Sequence, residues 1–324
     1  MTLRSAIAPF GGQPIIVISL DYERRWGVHD RIGDNWEAYR EELENEDACV
    51  DKMLEMFAER GVHATWAAVG AVGCSGWHEY YERAPQPPAY ADPRLRVKPS
   101  YADRDPEGRL HFSPATIARI AETPHQDLGS HTFSHIYLGE PGVTPGDARR
   151  DHAAVKALFT ERYGDEPVSL VYPRNQLSYV DELFDCGVRI VRGNETPWYF
   201  NCNTAARNSY LPRCLRAFDS INPLASHPAP KMSGMTRSSG FVRFNLSHSL
   251  WQLHLSRLTR PIQSGRPGVA HHYWWHPHNL GRNAEERFGR LRQLLDVVAD
   301  LIHTGRLRSL NMRELANDAI APAE

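Results

Sequence analysis

Residues Ile15–Leu20 form a continuous, mostly apolar run rich in β-branched side chains, interrupted only by Ser19 and without polar alternation. A strand of that kind has to be covered on both faces, which is the condition of a strand inside a parallel sheet. The rest of the chain alternates accordingly. A helix is expected over Trp36–Arg60, with Val50, Met53, Leu54 and Phe57 at i, i+3, i+4 and i+7 and Gly61 as its left-handed stop. Further strands read at Val62–Val69, Asp127–Ser130, Val168–Tyr172, Val188–Val191, Val269–Trp275 and Leu307–Leu310. Between them, helices are signalled by Ser113-Pro114, by Thr144-Pro145 with Gly164 at the far end, and by Ser178 ahead of a stop at Gly187. Two more are expected at Ala284–His303, closed by Gly305, and after Asn311 as the cap of a final helix. Alternation of this kind implies right-handed crossovers and a parallel sheet, either closed into a barrel or open and doubly wound.

Two stretches break the pattern. Cys74–Phe112 is rich in Pro, Tyr and charge and reads as a loop insertion over one face. In residues 194–267 no element can be assigned. The 324 residues suit one barrel domain spanning 1–324. With 37 Lys and Arg against 39 Asp and Glu, the chain lacks an electrostatic footprint for nucleic acid. The pairs Arg24-Arg25 and Arg149-Arg150 read as solvated surface. Five dispersed cysteines (Cys49, Cys74, Cys186, Cys202, Cys214) without C-x-x-C spacing fit a reducing compartment rather than a disulfide framework. Ile15–Leu20 is too short for a signal sequence or a membrane span, so a soluble cytoplasmic protein is expected.

The chemistry-bearing residues fall just past the strands. Asp21 and Glu23 follow the first strand, His131 and His135 the third, Arg174 the fourth, Arg192 the fifth, and His276 and His278 the strand ending at Trp275. In parallel α/β folds the C-terminal strand ends share one rim, where active sites are built. The i, i+4 spacing of His131 and His135 would bring two imidazoles to one face of a helical turn, close enough for one ion, although two independent capping or core histidines would look the same. Asp21 and Glu23, two apart, can face one side, one binding metal and the other accepting a proton; an ordinary loop pair with Arg24 or Arg25 is the alternative. Two histidines and a carboxylate with open positions suit water activation by zinc or a similar divalent ion. His276 or His278 could serve as a general acid near neutral pH. Tyr80, Tyr81, Tyr90 and Tyr101, with Trp274 and Trp275, offer ring faces for stacking, although plain core packing is the commoner role for the Tyr273–Trp275 aromatics. His63, His111, His125, His152, His227, His248, His254 and His303 read as structural or surface residues.

These residues resemble the motifs of the polysaccharide deacetylase family, the NodB-homology group of carbohydrate esterases. Ser19-Leu20-Asp21-Tyr22-Glu23 is similar to a D-x-D/E form of the first motif, Ser130–His135 to the second and Trp275-His276-Pro277 to the fifth. Tyr172-Pro173-Arg174-Asn175 matches the third only loosely, with the arginine after the proline, and Leu211-Pro212-Arg213 is a weak candidate for the fourth. The resemblance implies a distorted (β/α) barrel of about seven strands. It implies Glu23, His131 and His135 as holders of one divalent ion, zinc first among candidates, with Asp21 as base and His276 as acid. Arg174 is expected to pair with Asp21, a backbone N–H near Asn175 to serve the oxyanion, and Asn175, Trp275 and His278 to touch substrate. The implied activity is removal of an N-acyl group, acetyl foremost, from a sugar, sugar nucleotide or glycan precursor of surface polysaccharide. Alternatives are a same-fold hydrolase of a non-sugar amide, a catalytically silent glycan-binding barrel, and an iron oxygenase using the same three ligands.

Overall fold

The structure is a computed structural model describing residues 13–29, 36–97, 100–201, 209–225, 227, 229–230 and 234–318. The predicted strands appear as β1 (Ile15–Tyr22), β2 (Ala64–Ala68), β3 (Gln126–Ser130), β4 (Ser169–Leu170), β5 (Ile190–Gly193), β8 (Val269–Trp275) and β9 (Arg308–Ser309). Two more, β6 (Ala229–Pro230) and β7 (Met235–Phe241), come from the stretch where no element was expected. Strands β1, β2, β3, β4, β5, β7 and β8 pair in parallel in that order, and β8 pairs back with β1, closing a seven-stranded barrel. The closed alternative therefore holds over the open sheet.

The alternation along β1 sorts its side chains into two cores. Ile16, Ile18, Leu20 and Tyr22 face outward into the helical layer, against Val50, Met53, Phe57, Leu291 and Leu294. Ile15 and Val17 face inward, with Ala67, Val171, Ile190 and Ala270, and the floor is sealed by Leu310, Met312 and Leu315. Above that apolar floor the inward positions turn polar: Ser19, then Asp21.

Several local expectations are corrected. The helix over Trp36–Arg60 is three pieces, Trp36–Tyr39, Arg40–Glu44 and Glu46–Arg60, with Gly61 at φ 61° ending the last. Thr144 and Asp147 form a reciprocal cap on Pro145–Tyr163, and Asn311 and Glu314 do the same for Met312–Asp318. Ser178 caps nothing: Tyr179, left-handed at φ 56°, precedes Val180–Asp185. Ser113 caps no amide of its helix either; its hydroxyl is spent on Asp47 and Thr116. The 74–112 stretch carries two short helices, Trp77–Arg83 and Ser100–Arg104. Trp77 and Tyr80 pack on Trp26 with ring centroids 5.9 and 4.8 Å away. Arg24 and Arg25 are buried rather than solvated, Arg24 pairing with Asp47 at 2.6 Å. Cys49, Cys74, Cys186 and Cys214 are free thiols, and Cys202 lies outside the described residues. Among the described residues no helix is long and apolar enough to cross a membrane.

Candidate metal and catalytic site

At the C-terminal rim, Glu23 leaves β1 and turns its carboxylate between two imidazoles. One oxygen, Oε2, lies 2.9 Å from His135 Nε2 and 3.2 Å from His131 Nε2, and all three side chains are buried. Their ligand atoms lie within 4.8 Å of one another. The close approach depends on Gly27: a Cβ there would stand 1.9 Å from Glu23 Cδ. The H-x-x-x-H segment is not a helical turn. Thr132 and His135 take left-handed backbone, at φ 64° and 52°, and the loop curls to bring the rings to 5.1 Å.

The donor set fits a divalent ion. His131 Nδ1 lies 2.9 Å from the Val171 carbonyl, which fixes the proton there and leaves the Nε2 lone pair facing Glu23. Burial pushes the His135 imidazole down to about 4, against the pull of Glu23, so it is neutral and ligand-competent. Two imidazole nitrogens and one carboxylate oxygen converge on one point, a donor set that suits a divalent cation.

Asp21 sits beside this cluster and is held by Arg192, not by Arg174. Arg192 Nη1 donates to Asp21 Oδ1 at 2.6 Å and to Ser19 Oγ at 2.9 Å; Nη2 donates to Asp21 Oδ2 at 2.8 Å and to Asn175 Oδ1 at 2.9 Å. Burial pushes the Asp21 carboxyl up, but the guanidinium more than reverses this and keeps it below its usual value. Arg174 instead lies over the Tyr137 ring, 4.1 Å from its centroid. Arg192 prevails because it lies within β5, on the inward parity with Ile190, whereas Arg174 lies beyond β4 in left-handed backbone. Of the backbone N–H groups near Asn175, its own is given to the Tyr172 carbonyl.

His276 completes the rim, its Nε2 3.1 Å from Glu23 Oε1 and 4.0 Å from Asp21 Oδ2. Burial pulls its imidazole down, yet the Glu23 carboxylate outweighs that and raises it above its usual value. His278 is buried beside it, facing Glu46 at 3.6 Å rather than a cleft. Trp275, expected at the substrate, is instead fully buried and packs edge-on against Phe57 and Phe244 in the outer core. The inward parity of β8 is Ala270, His272, Trp274, then His276. His272 meets Ser19 at 2.8 Å, and Trp274 covers Arg192 at 4.2 Å. Tyr80, Tyr90 and Tyr101 are also buried; Tyr81 is the exposed one of the four. Leu211 and Arg213 sit exposed on the helix Tyr210–Ile221.

A second trio, His63, His125 and Glu314, gathers at the opposite end of the barrel. Its rings stack at 4.0 Å with planes 9° apart, so one ion cannot lie in both ring planes. Both Nδ1 atoms instead approach the Glu314 carboxylate, at 2.7 and 3.4 Å, latching the final helix to the strands.

A seven-stranded parallel barrel with a His-His-carboxylate cluster on its C-terminal rim is thus the class of this protein. The sequence profile of the polysaccharide deacetylase family matches residues 38–185. A Mycobacterium smegmatis candidate polysaccharide deacetylase superposes with a TM-score of 0.53 at 15% identity, covering 98% of this chain and 96% of that one. A peptidoglycan deacetylase from Bacillus subtilis aligns at 12% identity and TM-score 0.43, covering 95% and 92%. A pseudoenzyme of the CE4 family from Bacillus anthracis aligns at 10% and 0.44, covering 96% and 67%. At such identities the structural likeness concerns the fold. Among curated proteins none matches the sequence. The family match thus covers residues 38–185, just under half of the 324-residue chain.

Proposed function

We propose that this protein is a metal-dependent deacetylase that hydrolyses the N-acetyl group of an amino sugar within a glycan or glycan precursor. The observation that carries this reading is the convergence of Glu23, His131 and His135 on one point beside an Arg192-held Asp21 and a Glu23-paired His276. A divalent ion held by those three side chains would supply Lewis acidity toward the amide carbonyl and lower the pKa of water. Asp21, kept anionic by Arg192, accepts the proton of the attacking water as its oxygen bonds to the carbonyl carbon. His276, which the Glu23 carboxylate holds above its usual pKa, delivers a proton to the nitrogen as the C–N bond breaks, so amide and water leave as acid and amine. Trp274 and Phe241, whose ring centroids are 4.7 Å apart next to His276, offer an apolar face for the sugar.

The test pairs metal analysis of purified protein with acetate release from N-acetylated mono- and oligosaccharides and sugar nucleotides. His131→Ala is expected to lose bound metal and acetate release together. A wild type that binds zinc stoichiometrically yet releases no acetate from any of them would leave the silent glycan-binding barrel standing instead.

A further inference from the structure

The loop that carries both imidazoles is held from a direction the reaction does not use. It is pinned by backbone: Gly70 N donates to Thr132 O at 2.8 Å and Ala71 N to Phe133 O at 2.9 Å. It is also pinned by a carboxylate from a helix. Asp151, on the helix Pro145–Tyr163, accepts from Phe133 N at 2.5 Å with Oδ1 and from Ser134 N at 3.3 Å with Oδ2. These two amides lie between His131 and His135. Left-handed backbone at Thr132 and His135 persists only where its surroundings over-determine it.

Asp151 is an expensive choice for a mere packing position. It is 1% exposed, and burial pushes its carboxyl up to about 7 while the two amides pull the other way, with no cation among the groups that shift it. A buried carboxylate without a cationic partner is unfavourable unless hydrogen bonds need it. A neutral side chain would fill the volume, whereas the two carboxylate oxygens accept one amide each.

We infer that Asp151 is a positioning residue which presets the spacing of His131 and His135 for the ion, touching neither the ion nor substrate. The inference rests on the metal-site reading above. Partners that orient ligands from behind are typically worth about 10–100-fold in metal affinity.

Zinc affinity is measured by competition with a chromophoric chelator for wild type, His131→Ala, Asp151→Asn and Asp151→Ala, alongside the melting temperature of each metal-free protein. Asp151→Asn is expected to bind zinc about 10–100-fold more weakly while its metal-free form melts close to wild type. At saturating zinc it is expected to regain most of its turnover. Amide exchange supplies a check that needs no variant: Phe133 and Ser134 are expected to be protected in wild type before zinc is added. Unchanged zinc affinity in Asp151→Asn, or protection that appears only with zinc, overturns the inference and leaves the metal site intact. Wild-type zinc binding that His131→Ala leaves untouched overturns the metal site and the inference with it.

Discussion

Asp21 and Glu23 are two residues apart and carry the same charge, yet the fold gives them different neighbours. Asp21 receives a bidentate guanidinium and Glu23 receives imidazoles, so one is held for proton transfer and the other for a cation. Asp21→Asn is therefore expected to keep its zinc and lose turnover by about 10²–10⁴-fold, the span of general base catalysis. Metal content and kcat measured on the same sample check this; retained turnover would remove Asp21 from the mechanism. Gly27 is the less obvious member of the site. Because its Cβ would stand 2.1 Å from Glu23 Oε1, Gly27→Ala is expected to push that carboxylate aside and weaken zinc binding. Little change in melting temperature is expected, since the displaced atoms are the free end of a side chain. Sequence alone gave no hint of this, as Gly27 lies in no recognisable turn motif.

At the scale of the element, β8 shows how strand parity decides role. Consecutive residues of a strand point to opposite faces, so Trp274 falls on the side of His272 and His276, and Trp275 on the side of Phe57. The adjacent tryptophans are legible in the sequence. The parity argument was also available, because the position of His276 already marked the rim. Trp275→Ala is expected to destabilise the fold by about 3–5 kcal/mol, whereas Trp274→Ala is expected to spare stability and raise KM for the sugar. Denaturant melts and steady-state kinetics on the two variants separate the roles; equal stability losses would contradict the parity. By contrast, β7 escaped detection. Its Met-Thr-Arg-Ser-Ser-Gly-Phe sequence carries neither an apolar run nor a clean alternation, because inside the barrel it meets polar partners. Ser238 bonds Glu195 and the Trp274 indole, Ser239 takes the His272 amide, and a register shift between Ser238 and Gly240 breaks the period.

At the scale of the molecule, folding around polar interiors leaves a titration signature. Burial lowers His152, His254 and His271 from 6.5 to about 4. Each is neutral in the folded protein while its unfolded counterpart takes up a proton, so stability falls as pH drops from about 6.5 toward 4. Asp151, raised to about 7, has the opposite sign and gains stability as it protonates below that value. Three imidazoles outweigh one carboxyl, so a lower urea midpoint is expected at pH 5 than at pH 7.5, with metal absent in both; an equal or higher midpoint would contradict these assignments. Outside residues 194–267, where the chain forms strands and helices, which strand ends carry acids and imidazoles, and where most helices stop were fixed locally, by apolar period, by Gly61 and Gly164 and by the Thr144 cap. Those signals act over a few residues and survive in the sequence. Which arginine reaches Asp21, whether the sheet closes, how the His131–His135 loop curls, and that Asp151 supports it from a separate helix were decided only by tertiary structure. Each depends on distances between segments far apart in the chain, and those distances exist only once β8 has paired with β1.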